Sequence, residues 1–152
     1  MTNRIEFFIP LEPKGQARAR HMVAANGRAI TYKSGKQRLE ENKLAAYMIQ
    51  AAEGRRLSGP LRLQLVARIP IPGSWPKKRK AAALAGEIWP EKKPDLSNII
   101  KNIEDVAQGL LFDDDKSICQ ILCSKLFAEH AGYWITFDEI RETVAILDYR
   151  RP

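Results

Sequence analysis

Apolar and polar positions alternate most cleanly over Leu61–Ile69, where Leu61, Leu63, Leu65, Ala67 and Ile69 interleave with Arg62, Gln64 and Arg68. Successive side chains of a strand point to opposite faces, so this period of two predicts a strand with one buried face. Ile5–Leu11 carries the same signal through Ile5, Phe7 and Ile9 and is broken by Pro10, Pro13 and Gly15. Ile118–Phe127 and Tyr133–Ile140 read as two further strands, and Ala131-Gly132 between them predicts an antiparallel hairpin. A helical period replaces alternation over Lys36–Glu53, where Leu44, Tyr47, Met48 and Ala51 form one stripe. Ser34 supplies an N-cap for it and Gly54 a stop. Leu96–Leu111 has the same spacing through Ile99, Ile103, Val106 and Leu110, broadened by Ile100 and Ala107.

The segments between these elements are basic. Residues 14–33 read as a loop, with a turn at Asn26-Gly27 and a short strand over Arg28–Tyr32. Residues 70–94 form an insert rich in proline and lysine, with a short helix at Lys77–Ala85. The tail from Arg141 fits a short helix or a strand equally. The expected architecture is therefore one α/β (α+β) domain over residues 1–152, in the order β-α-β-α-β-β, with a mixed sheet packed against two helices. A chain of 152 residues is long enough for one core, and no repeat or linker divides it.

Composition narrows the function classes. No apolar run is long enough to span a bilayer, and Met1–Pro13 lacks the pattern of a secretory signal, so a cytoplasmic protein is expected. Cys119 and Cys123 are the only cysteines; four apart on a strand they would lie roughly 13 Å from each other, too far for a disulfide. They are expected to be buried, reduced thiols, and two cysteines without a histidine cluster make no structural zinc site. His21 and His130 sit in separate segments, which argues against a Ser-His-Asp hydrolase. The net charge of +7 is divided unevenly: residues 1–93 hold 19 Lys/Arg against 7 Asp/Glu, and residues 94–152 hold 6 against 11. A basic first part followed by clustered acids suits a protein that binds a polyanion and holds a cation beside it; a merely basic solvated surface accounts for the total equally well.

The candidate chemistry lies in Lys93-Pro94-Asp95-Leu96-Ser97-Asn98-Ile99-Ile100-Lys101, followed by Glu104-Asp105 and Asp113-Asp114-Asp115. Pro94 disfavours helix at Lys93, so Asp95 stands where an extended segment turns into a helix. That helix puts Asn98, Lys101 and Asp105 within an arc of about 60°. If the following loop brings Asp114 and Asp115 towards Asp95, several hard carboxylates gather, and these suit Mg²⁺ or Mn²⁺. Phosphodiester hydrolysis uses such a site, with a lysine such as Lys101 to neutralise developing charge. Alternatively, Asp95 and Ser97 are helix-cap residues and the aspartate run is a solvated turn.

These residues resemble the core of the RusA family of Holliday-junction resolvases. The family's pattern K-P-D-x-D-N-x-x-K-x-x-x-D, then a glycine and D-D-x-Q-[VI], corresponds here to Lys93-Pro94-Asp95-Leu96-Ser97-Asn98-Ile99-Ile100-Lys101, Asp105, Gly109 and Asp114-Asp115-Lys116-Ser117-Ile118. Ile69-Pro70-Ile71-Pro72, Ser74-Trp75, Lys77–Glu87 and the early Pro13-Lys14-Gly15 extend the likeness over residues 5–137. The resemblance implies a homodimeric, Mg²⁺-dependent enzyme, bacterial or phage-encoded, that nicks four-way DNA junctions symmetrically. It implies Asp95 and Asp115 as catalytic metal ligands, Asp114 as a supporting acid, Lys101 as catalytic lysine and Asn98 as an organiser of the site.

Two positions depart from the pattern. Ser97 replaces an aspartate and Ser117 a glutamine. Ser97 leaves two readings open: a lost ligand, giving a relative that binds branched DNA without cutting, or a hydroxyl that holds a metal-bound water while Asp113 or Asp105 supplies charge. A third reading, a PD-(D/E)-x-K nuclease using Asp95, Asp114 and Lys116, ranks lower because its lysine belongs on a strand hairpin. A fourth, a basic RNA-binding or structural module, leaves the carboxylates unexplained. Expected phosphate contacts are Lys14, Arg18, Arg20, Arg28, Lys77, Lys78, Arg79, Lys80, Lys92 and Lys93, and such contacts make binding weaken steeply with salt. Trp75 and Trp89 flank the Lys77–Lys80 cluster and serve either to stack on opened bases or to anchor the insert, with anchoring favoured.

Overall fold

The computed structural model describes residues 3–17 and 19–141, so Arg18 and the tail beyond Arg141 lie outside the described residues. The elements run β1 (Arg4–Ile9), β2 (Arg20–Val23), β3 (Ala29–Tyr32), α1 (Gly35–Ala52), β4 (Leu61–Pro70), α2 (Lys77–Leu84), α3 (Leu96–Ala107), β5 (Ile118–Ala128) and β6 (Gly132–Glu139). Removing the β2–β3 pair and α2 leaves the expected β-α-β-α-β-β order. Both additions fall in the basic segments, where Asn26-Gly27 and Lys77–Ala85 had signalled local structure.

The main sheet is mixed, in the order β1-β6-β4-β5. The strongly alternating strand takes a central place: β4 runs parallel to β5 and antiparallel to β6. Its Leu61, Leu63, Leu65 and Ala67 are fully buried against Leu44 and Met48 of α1 and Ile99 and Ile103 of α3. Ile5 and Ile9 of β1 and Tyr133, Ile135 and Phe137 of β6 complete that layer. The other face is polar and partly open: Arg62 reaches Gln120 and Asp138, while Phe8 and Trp134 lie against each other with centroids 6.1 Å apart.

The expected hairpin between the last two strands does not form. β5 and β6 flank β4 and each pairs with it. The connection from Ala128 to Gly132 has four Cα steps, a reach of about 13 Å, enough to pass one intervening strand across about 10 Å. The most regular apolar strand is thereby paired on both edges.

The thiol expectation also fails in part. Both cysteines are free, but Cys119 is exposed and only Cys123 is half-buried. Leu61 pairs with Ile118 and Arg62 with Gln120, so Cys119 is the residue skipped by a bulge in an edge strand. Burial pushes the Cys123 thiol up to about 11, which keeps it protonated and unreactive.

The helix predicted to reach Leu111 ends at Ala107. Gln108 is extended and Gly109 adopts φ 80°, a conformation that favours glycine. The resulting tight loop buries Leu111 and Phe112 and delivers the aspartate run to the surface.

Candidate active site

Asp95 occupies the N-cap position of α3 with an extended backbone (φ −72°, ψ 137°), and its side chain makes no cap hydrogen bond. The carboxylate is instead presented to a cleft of about 530 Å³ lined by Glu12, Lys14, Gln16, Lys93 and Asn98. The cap explanation thus does not account for Asp95. The approach to it, through a cis Lys93-Pro94 bond, is held from β5: Lys125 Nζ donates to the carbonyl oxygens of Lys92 (2.8 Å) and Pro94 (3.1 Å).

The Pro13-Lys14-Gly15 segment is a strap across the first turns of α3. Gln16 N donates to Asn98 O at 3.2 Å, and Gln16 Nε2 donates to Asp105 Oδ2. A Cβ on Gly15 would come within 2.9 Å of Asn98 Cβ, so a side chain there would push the strap off the helix. The strap's other end is fixed by Tyr133, whose hydroxyl accepts from Lys14 N at 2.7 Å; burial pushes this phenol up to about 12. The strap is thus tied to α3 through the backbone carbonyl of Asn98.

Lys101 pairs with Asp105 at 3.4 Å, one helical turn on. Ser97 is exposed on the same helix, without a capping role. At the far end of α3 the three aspartates separate by partner. Asp113 is almost fully exposed and bonds Arg56 at 2.6 Å. Asp114 caps the 3-10 turn Asp115–Ser117; the Lys116 backbone N–H and ammonium hold its carboxyl below the usual range. Asp115 faces Glu104, whose carboxyl is pushed up first by burial and then by the Asp115 charge.

The basic residues also divide. Lys77 and Lys78 are exposed on α2, whereas Arg79 lies over Trp75, 3.9 Å from its ring, and Lys80 donates to Gly73 O at 2.9 Å. Lys14 pairs with Glu40 at 3.4 Å. Arg20 and Arg28 are exposed on or beside the β2–β3 hairpin, in which the expected turn and short second strand pair with a further strand over Arg20–Val23. Lys93 is exposed and lines the cleft, while Lys92 is exposed beside it on the wall of an adjoining cavity.

A free carboxylate at a helix's start and an acidic turn beyond its end match the sequence motif, and the strap across that helix adds to them. The family model for endodeoxyribonuclease RusA matches residues 10–137. The chain belongs to the RusA endodeoxyribonuclease family. It is also similar to "Uncharacterized protein YqaN" of Bacillus subtilis (strain 168), 26% identical over 138 residues that cover 90% of this chain and 96% of that one. RusA membership carries endodeoxyribonuclease activity of the Holliday-junction resolvase type, and with it binding to branched DNA. No helix among the described residues is long and apolar enough to cross a membrane.

RusA enzymes are in general dependent on a divalent metal. Among the described residues no three His, Cys, Asp or Glu side chains converge to hold an ion. The donors themselves are hard carboxylates, and Mg²⁺ is commonly held by one or two of these with waters and substrate phosphates. The residues therefore fit an ion whose shell a DNA phosphate completes, not a closed protein cage.

Several residues of the site were not visible in the motif. Glu12, Gln16 and Lys125 are remote in sequence and gain their positions only from tertiary pairing. Glu104 was adjacent to the motif, but its closeness to Asp115 depends on where α3 ends.

Proposed function

We propose that this RusA-family chain is a divalent-cation-dependent endodeoxyribonuclease that nicks four-way junctions, acting as a homodimer with Mg²⁺ or Mn²⁺. The observation that carries the reading is Asp95: an N-cap carboxylate that caps nothing and opens into a cleft walled by Lys14, Lys93 and Asn98. A carboxylate left free beside lysines suits a site where a phosphate and a cation meet. Asp95 and Asp115 would hold the cation, with Asp114 supporting Asp115. What such an ion supplies when bound is polarisation of the phosphoryl oxygen and a more acidic water.

The chain's own side chains do the rest. Lys93, Lys92 and Lys14 attract and orient the backbone phosphate at the cleft. Lys101, further along α3, offsets charge developing on the leaving oxygen, with Asp105 and Gln16 limiting its rotamers. Arg20, Arg28, Lys77 and Lys78 extend the phosphate track. A two-fold dimer matches the two equivalent scissile strands of a junction. β5 supports dimerisation as a long edge strand, with Ile121 and Leu122 exposed.

A second reading is favoured by one specific feature. Ser97 stands where a second carboxylate is expected, and no three acids converge. A relative that binds junctions without cutting them follows from that. The PD-(D/E)-x-K reading loses support, because Lys116 lies in a 3-10 turn paired with Asp114 rather than on a strand.

The test uses an end-labelled four-way junction and a matching duplex, each with Mg²⁺, Mn²⁺ or EDTA. Symmetric metal-dependent nicks in the junction alone are expected. Selective binding without nicks in either metal would favour the second reading, and neither binding nor nicks would defeat both.

A further inference from the structure

Beside the Asp95 cleft, and sharing Glu12, Pro13, Lys93 and Pro94 with it, lies a cavity of about 510 Å³ formed by the 70–94 insert against β5. Its two tryptophans differ. Trp75 is committed to packing: it meets Phe127 edge-on at 5.2 Å and carries Arg79 on its face. Trp89 is 61% exposed and makes no ring contact or cation–π contact among the described residues. Trp89 is thus an uncommitted indole on the wall of a cavity that mixes apolar rings with charged side chains, beside the Asp95 cleft.

We infer that this cavity is a base-binding site, in which Trp89 stacks on an unpaired nucleobase next to the phosphate held at Asp95. Three properties favour a nucleobase over an aliphatic ligand or an apolar peptide. Rigid rings line it, from Pro72, Pro90 and the two indoles. Lys92 and Lys93 at the rim supply the positive charge that a nucleotide's phosphate requires. Glu91 lines the same space and offers an acceptor to the N–H groups on a base edge. Stacking on an aromatic ring tolerates any base and needs an unpaired one, which the centre of a four-way junction provides. The site thus rests on the nuclease reading for its location, while its ligand chemistry stands on the cavity itself.

Trp89→Ala and Trp89→Phe separate stacking from fold, since the side chain is exposed and neither change disturbs the core. The full chain is titrated in EDTA with a single-stranded oligonucleotide while tryptophan fluorescence is followed. Quenching is expected in the wild type and is reduced in Trp89→Phe, which still binds and keeps Trp75 in the wall; Trp89→Ala binds on the order of tenfold more weakly. On a junction made abasic at the nucleotides flanking the crossover, Trp89→Ala adds no further loss. Equal binding by wild type and Trp89→Ala, undiminished quenching in Trp89→Phe, or equal losses on intact and abasic junctions would overturn the site. A wild-type chain that bound junction and duplex alike would sink the resolvase reading alone, because the single-stranded titration still decides the base site.

Discussion

Lys125 Nζ lies 3.1 Å from the carbonyl oxygen of Pro94, the residue immediately before Asp95, and 2.8 Å from that of Lys92. A strand at the sheet's edge thus holds the loop that aims the candidate catalytic carboxylate. An ammonium donating to two carbonyls is a charge-assisted clasp, worth about 1.5–3 kcal/mol where it is sheltered. Lys125→Met is expected to slow single-turnover nicking by roughly 10- to 100-fold, the kinetic equivalent of that energy, with junction affinity changed by far less. Equal losses in nicking and gel-shift affinity would instead make Lys125 a DNA contact.

Asp95→Asn should lower metal-dependent nicking by more than about 100-fold, as the loss of several kcal/mol of charge stabilisation requires. Junction binding should stay level or tighten, since a negative charge facing phosphate is removed. Because Asp95 makes no cap hydrogen bond, the melting temperature should barely move. A large drop in stability would show that the carboxylate is structural.

How much of this was legible in advance depends on the range of the interaction that decides it. Period-two alternation placed β4, and helical spacing with Ser34 placed α1, whose Gln37 N–H does donate to the Ser34 hydroxyl. Those are local facts. Strand order is not local: Ile118–Phe127 and Tyr133–Ile140 look like hairpin partners until β4 competes for both edges. Around the site, Asp95, Asn98 and Lys101 were readable because one helix carries them. The clasp from Lys125 and the Gln16–Asp105 contact join residues about 30 and 90 positions apart, and no spacing rule reaches that far.

Ser97→Asp restores the carboxylate missing from the family pattern, on the exposed first turn of α3 two residues from Asp95. If the ion is short of a ligand, the Mg²⁺ concentration for half-maximal nicking should fall by at least about tenfold, the lower end of what changes around a metal produce. An unchanged Mg²⁺ dependence would mean that another acid already fills the position.

Gly15→Ala tests the strap. The added methyl would meet Asn98 Cβ at 2.9 Å, closer than side chains pack, so the strap or the helix must shift. A cost of about 1–3 kcal/mol is expected, as for other overpacked sites. Thermal unfolding should register it as a lower melting temperature, together with slower nicking as Gln16 leaves Asp105. Wild-type stability in Gly15→Ala would show that the segment does not bear on α3.

Glu104 links the site to stability through pH. Its carboxyl is pushed up, first by burial and then by the charge of Asp115 across the turn. A carboxyl that holds its proton more tightly when folded contributes stability below its unfolded pKa and loses it as pH rises through the folded value. At pH 7 Glu104 is therefore a liability in the metal-free protein. Glu104→Gln should raise the melting temperature at pH 7 by no more than about a few degrees, because the site is partly solvated. The two proteins should converge towards pH 4, where both carry a neutral side chain. Scanning fluorimetry in EDTA across pH 4–8 measures this directly. A difference that stays constant over that range would trace the effect to packing, and a lower melting temperature for Glu104→Gln at pH 7 would reverse the sign of the argument.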